Sequence, residues 1–183
     1  KYEVYVADFG KFAVATCWEI SYPEISRIYA LQGAKMIFNP TMAPDNKPGQ
    51  SLSTAPMFIT RARDNGVYIV PVVLGNDGNG ILDFDGNVVA ESVGKENVVI
   101  LGEVDFQKQP INSSGWWKVL NGTDNTKAMH YLSRRPEIWH MLTNPNPPLL
   151  NAYKDVRLTT GDRDRQLKAV QEVDYGPKKN QQK

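Results

Sequence analysis

The chain has 183 residues, a net charge of +1, 41% hydrophobic and 22% charged residues, and one cysteine. That length supports one substantial core and is short for two, and the near-neutral charge offers no electrostatic footprint for nucleic acid or an acidic membrane surface. A single thiol excludes an internal disulfide framework and a cysteine-based zinc site and fits a reducing, cytoplasmic setting, and no apolar run approaches the roughly 20 residues that span a bilayer.

Lys1 to Ala7 alternates as KYEVYVA, with Tyr2, Val4 and Val6 on one face, and Asp8 to Lys11 turns it into a second strand, Phe12 to Thr16. That strand runs directly into Cys17, Trp18 and Glu19, which places the thiol at a strand's carboxyl end. Pro23 suits a first helical turn, and Ile25, Ile28 and Tyr29 carry a helix to a stop at Gly33. Lys35 to Asn39 reads as a further buried strand, ended by Pro40. A thiol at such a strand-to-helix turn is placed for nucleophilic work, because the free N–H groups of a helix start lower its pKa and can hold an oxyanion. Lone cysteines are more often small buried hydrophobes, so the surrounding pattern has to carry the assignment.

That pattern is specific. Cys17-Trp18-Glu19, followed by Pro23-Glu24, Arg27, Gly33-Ala34 and Asn39-Pro40-Thr41, resembles the nucleophile segment of the nitrilase, or carbon–nitrogen hydrolase, superfamily. The resemblance implies that Cys17 is the nucleophile and that the Trp18 backbone N–H contributes to the oxyanion site. It further implies a glutamate base and a stabilising lysine. Glu3 and Lys11 are the candidates upstream of Cys17. Lys11 lies at the far end of a strand of about five residues, well over roughly 15 Å from Cys17 at about 3.3 Å per residue. Neither is a credible partner. Family members carry both residues in an amino-terminal half, so the expectation is a carboxyl-terminal half whose Glu and Lys come from an upstream half of the same enzyme. Glu19, Asn39, Pro40 and Thr41 are candidate pocket residues, and Glu24 is expected to pair with Arg27 on the helix surface.

Met42 to Ser53 is a loop by its Pro, Gly, Asn and Ser content. Thr54 to Asp64 has helical spacing with Asn65-Gly66 as a stop, and Val67 to Leu74 is a buried strand. RARDNGVYIV resembles the family's helix-to-strand passage. Asp85-Gly86 between ILDF and NVVAE signals a hairpin; the acidic residues here lack the glycine spacing of a calcium loop. Neither a metal nor a cofactor is implied. Gly80 stands near a position where the family usually has a serine. Val88 to Glu91 and Asn97 to Asp105 complete the expected strands, and VVILGEVDF resembles the family's last core strand.

From Gln107 the composition shifts to Trp116, Trp117, Tyr131, Trp139, His130 and His140 interspersed with prolines. The chain thus divides into an α/β region, 1–106, expected to be half of the family's α-β-β-α four-layer sandwich, and an aromatic, Pro-rich tail, 107–183. Residues 107–150 of the tail are expected to join subunits of a homo-oligomer, with both histidines at the surface or an interface. Two function classes follow. One is a hydrolase of a small-molecule amide or nitrile acting through a covalent intermediate on Cys17, with Pro23-Glu24 and Arg27 favouring an amide; acyl transfer from the same intermediate is a variant of it. The other is a non-catalytic scaffold that retains the fold.

Overall fold

Among the described residues, six strands form one sheet in the order in which they occur along the chain. The structure, a computed structural model, describes residues 2–42, 45, 47, 49–74, 78–95, 98–108, 110 and 125–153. β1 (Val4–Ala7) and β2 (Gly10–Val14) form the expected antiparallel hairpin. β2, β3 (Met36–Thr41) and β4 (Tyr68–Val73) run parallel. β5 (Gly80–Leu82) and β6 (Val88–Glu91) return antiparallel. The crossovers between the parallel strands are α1 (Pro23–Leu31) and α2 (Pro56–Asn65). Each helix opens on proline, whose fixed φ suits the first turn. Gly66, at φ 57°, ends α2 in the left-handed conformation.

One sheet face is covered by the helices. Ala13, Ala15, Ile37, Ile69 and Leu82 on the strands pack with Ile20, Ile25, Tyr29, Phe58 and Ala62 into one buried cluster. The other face carries Met36, Tyr68 and Phe84 at its centre, with Phe12, Phe38, Val70, Ile81 and Phe106 partly buried around them. β1 is an edge strand. Of its expected apolar face, Val4 packs on the core and the Tyr2 ring meets Tyr29 edge-on at 5.7 Å, while Val6 is exposed.

Two expectations need correction. Pro40 does not end its strand: it pairs with Val72 inside β3. The missing N–H points toward β2, whose register with β3 stops at Val14 and Phe38, and the Ala15 carbonyl it would have met takes the Asn39 amide instead (2.6 Å). The segment over 98–105 is not a strand among the described residues, because it finds no ladder partner. It crosses the second sheet face instead, where a Cβ on Gly102 would lie 3.0 Å from Ile81 and 3.1 Å from Val89. The Tyr68 hydroxyl holds its end, donating to the Asp105 carbonyl (3.3 Å) and accepting from the Asp105 N–H (3.2 Å).

The Asp83–Asn87 hairpin forms as read, and its acidic residues serve the turn. The Asp83 carboxylate accepts from the backbone N–H groups of Asp85 (2.9 Å) and Asn87 (2.8 Å) and from the Asn87 side chain (3.1 Å). Gly80 is required by close approach, since a Cβ there would sit 2.4 Å from the Ala90 carbonyl and 2.5 Å from Leu52.

Two compact units divide the chain, Lys1–Arg134 and Arg135–Lys183. The first extends past residue 106, because α3 (Thr126–Leu132) packs onto it. Met129 is buried, the Tyr131 hydroxyl donates to the Asn65 carbonyl (3.2 Å), and Lys127 Nζ donates to the Gly66 carbonyl (3.1 Å). Arg27 lies over the Tyr131 ring, 5.2 Å from its centroid, and not against Glu24 as expected. In the second unit the described residues form three short 3-10 turns, Pro136–Ile138, His140–Thr143 and Pro148–Tyr153. Prolines open two of them and interrupt any longer helix. Trp139 is 37% exposed; Trp116 and Trp117 lie outside the described residues. Both His130 and His140 are exposed.

Candidate active site

The thiol lies where β2 leaves the sheet. Cys17 opens a 3-10 turn, Cys17–Ser21, that intervenes before α1, so it does not sit at the start of α1 as the sequence suggested. It is the one non-glycine residue with positive φ among the described residues, at 49°. That conformation costs an L-residue roughly 1–2 kcal/mol and persists only where neighbouring contacts impose it. Cys17 is exposed, and Thr41 Oγ1 at the end of β3 donates to its Sγ over 3.7 Å. The Thr41 hydroxyl, then the backbone N–H groups of Met42 and Trp18, hold the thiol pKa below its ordinary value, against a small opposing effect of burial. A thiolate is the nucleophilic form.

The turn is tied down from several elements. Tyr29 of α1 donates its hydroxyl to the Val14 carbonyl (2.9 Å). The Asn39 amide donates to the carbonyls of Ala15 (2.6 Å) and Cys17 (3.1 Å). Glu19 accepts from the Thr16 N–H at 2.7 Å and its own N–H donates to the Thr16 carbonyl. Arg61 of α2 reaches across to the end of the turn, with Nε on the Ile20 carbonyl (3.0 Å) and Nη2 on the Ser21 carbonyl (2.9 Å). A charged fork on two carbonyls is the strong form of this bond.

The sequence candidates therefore take different places. Thr41 meets the sulfur directly. Pro40 is exposed beside it, and Trp18 is 70% exposed with its N–H toward the thiol. Asn39 is fully buried beneath the turn, and Glu19 is half-buried with a carboxylate oxygen engaged by Thr16. Tyr29 and Arg61 escaped sequence reasoning. Their hydrogen bonds run to backbone carbonyls far along the chain, a relation that no local spacing marks. The Met42–Ser53 loop is anchored by Asp45, whose carboxylate accepts from the N–H groups of Met57 (2.5 Å) and Phe58 (3.3 Å) at the start of α2.

A cavity of about 540 Å³ opens along the second sheet face at the carboxyl end of β4. Phe38, Val70, Val72, Ile81, Ser92, Lys95 and Val98 line it. Val73, also in its wall, is the register partner of Thr41, so these two residues sit one strand spacing, ~4.8 Å, apart. Among the described residues no cluster of three or more His, Cys, Asp or Glu could hold a metal ion, and no helix is long and apolar enough to cross a membrane.

Residues 1–109 match the family model for carbon–nitrogen hydrolases. The chain belongs to the carbon–nitrogen hydrolase family. Among curated proteins this carbon–nitrogen hydrolase chain is 26% identical over 161 residues to N-carbamoylputrescine amidase of Solanum tuberosum. The match covers 77% of this chain and 50% of that protein, so the chain spans about half the length of the curated relatives it matches. Among solved structures, the carbon–nitrogen hydrolase from Helicobacter pylori G27 superposes with a TM-score of 0.55 at 18% identity, covering 79% of this chain and 53% of that one. A mutant of the amidase from Nesterenkonia sp. AN1, which shows the acetamide moiety of fluoroacetamide added covalently at its active-site cysteine, gives 0.52 at 16% identity, covering 76% and 46%. These likenesses establish the nitrilase-type α/β fold.

Proposed function

We propose that this chain is the nucleophile-bearing, carboxyl-terminal half of an amide-cleaving carbon–nitrogen hydrolase. The observation that carries the reading is Cys17 itself: a left-handed turn at a strand's end, an exposed sulfur facing the Thr41 hydroxyl, and a lowered thiol pKa. The name of the Solanum relative supports a carbamoyl or simple amide over a nitrile. The acetamide adduct described for the Nesterenkonia amidase supports a covalent route.

In this mechanism the Cys17 thiolate attacks the amide carbon, and the Trp18 N–H helps hold the developing oxyanion. The C–N bond breaks, the nitrogen leaves with a proton from a glutamic acid, and a thioester remains on Cys17. Water, deprotonated by the same glutamate, adds to the thioester; the acid departs and the thiol is restored. The glutamate, and a lysine that stabilises the tetrahedral species, come from an upstream half of the same enzyme. That half lays its own sheet on the aromatic second face, while Pro40 and Thr41 frame the substrate end of this half and Glu19 and Asn39 support the turn behind it. Residues 107–150 join copies of the enzyme in a homo-oligomer, and a reducing compartment such as the cytoplasm keeps the lone thiol free. The alternative is a scaffold that keeps the fold without turnover.

Ammonia release from a panel of N-carbamoyl amines, simple amides and nitriles separates these readings, with the chain assayed alone and together with an upstream half. Turnover should require both halves and vanish in Cys17→Ala. Activity that survives that substitution would overturn the nucleophile assignment, and a chain inert in every combination would leave the scaffold.

A further inference from the structure

We infer that Asn39 is a positioning residue for the thiol: its side-chain amide replaces a sheet hydrogen bond that Pro40 cannot make and carries that grip on to the Cys17 carbonyl. The functional meaning rests on the nucleophile reading above. The geometry does not.

In a parallel ladder a residue donates its N–H to one carbonyl of the neighbouring strand and accepts, at its own carbonyl, from the N–H two residues further along that strand. Ala15 makes the first of these bonds, donating to the Phe38 carbonyl over 2.9 Å. The second would come from residue 40, and residue 40 is proline. The Ala15 carbonyl is fully buried with its residue and would lack a donor. Asn39 Nδ2 takes it at 2.6 Å, and the same nitrogen reaches the Cys17 carbonyl at 3.1 Å. The adjacent residues Asn39 and Pro40 thus act together: proline removes the ladder donor, and the amide bends the chain over to a carbonyl two residues past the point where the ladder stops.

The site selects an amide. A carboxylate would set acceptors against two carbonyls, and leucine would leave both carbonyls without a partner. Asn39 Oδ1 is buried and makes no hydrogen bond within the structure, so the two carbonyls alone orient the group. Asn39 and Thr41 are two apart on β3 and share one face. One short stretch of strand therefore holds Cys17 at its carbonyl and at its sulfur, and the left-handed backbone of Cys17 is the conformation that satisfies both.

The test is the pH dependence of iodoacetamide alkylation of Cys17, the chain's one thiol, in the intact chain and in Asn39→Leu, Asn39→Asp and Arg61→Met. Both Asn39 variants should alkylate more slowly at neutral pH, by about threefold or more, with the midpoint moved to higher pH as the sulfur leaves its donors. Arg61→Met is the control. It loosens the far end of the same turn and should lower the thermal midpoint while keeping the parent's alkylation profile. The isosteric Asn39→Asp carries the test should Asn39→Leu not fold. A parent-like profile in folded Asn39 variants overturns the inference, as does an equal displacement in Arg61→Met, which would mark general loosening. No turnover enters this measurement, so failure of the nucleophile reading would show in the amide assay of Cys17→Ala and not here.

Discussion

The two faces of the sheet are built from different side chains, and the contrast separates what the sheet completes by itself from what it presents. The helix-covered face uses small or branched residues, with Ala13, Ala15, Ile37, Ile69 and Leu82 all fully buried under α1 and α2. Short side chains let helices approach closely and leave little void. The second face uses large rings. Tyr68 meets Phe84 and Phe106 edge-on with centroids 5.6 Å apart, and Phe12 meets Phe38 at 5.7 Å. Beyond that centre Tyr5, Phe9 and Val72 stand about half exposed. A finished face resists change. An apolar face with wet margins is suited to a partner.

Truncation should expose this difference most sharply. Phe58→Ala on the helix face should cost about 3–5 kcal/mol in urea unfolding, since the ring is fully buried. Phe38→Ala on the second face should cost about 1–2 kcal/mol because its ring is only partly buried. Equal losses would mean that the second face is as complete as the first. At the carboxyl end of the helix side, Thr41→Val removes the leading cause of the lowered thiol pKa. Alkylation of Cys17 should then slow several-fold at neutral pH and converge with the parent at high pH, where both are thiolate. An unchanged profile would assign the lowering to the backbone N–H groups alone.

Lys127 tests the helix side through charge. Its ammonium is mostly buried with Lys35 and Arg27 nearby, and desolvation first, then those cations, push its pKa down to about 8 from 10.5. A depressed folded-state pKa means that the unfolded chain binds more protons between the two values. Lys127 therefore makes stability rise as pH climbs from about 8 to 10.5, and that contribution is lost as pH falls through 8. The urea midpoint of the parent should climb over this window relative to Lys127→Met, and parallel curves would contradict the burial of the charge. The smallest effect on folding is expected for Val72→Lys, at the wet margin of the second face. It should change the chain's own stability by no more than about 0.5 kcal/mol yet weaken association with the upstream half proposed above, read by sedimentation. Undiminished association would move that interface elsewhere.

Most of the sheet was legible because local signals agreed. Pro23 marks the start of α1, Gly66 the end of α2, and Asp85-Gly86 the hairpin, each through backbone chemistry that acts over a few residues. Residues 97–105 misled because VVILGEVDF is apolar and β-branched, which fits a pleated surface whether or not a ladder partner exists. Pro40 misled in the opposite sense: the one bond it cannot donate, to the Ala15 carbonyl, is made by the neighbouring Asn39 amide, so β3 runs on through the proline. At the site, Cys17 and Thr41 could be read from motif and strand position. The clamp could not, since nothing in the order of residues shows that the Asn39 amide would face Ala15 and Cys17, or that Arg61 would span from α2 to Ile20 and Ser21. Arg27 illustrates the same limit, as the ring it faces lies in a segment assigned to a separate tail.

The thin seam between β4 and β5 has a consequence for time scales. Among the described residues one register pair, Ile69 with Leu82, joins these strands, and Pro71 supplies no amide toward β5. Side chains hold the hairpin Gly80–Glu91: the Asn79 side-chain oxygen accepts from the Val73 N–H of β4 at 2.7 Å, and the Glu91 carboxylate accepts from the Leu52 N–H at 2.7 Å and the Ser51 hydroxyl at 3.0 Å in the turn before α2. Amide deuteration should therefore show two populations within one sheet: β2 to β4 exchanging only on global unfolding, and the hairpin exchanging earlier as a unit that swings free while the rest stays folded. Glu91→Ala would hasten that opening by removing both acceptor contacts, so the wall of the cavity would breathe while the strand leading to the thiol kept still.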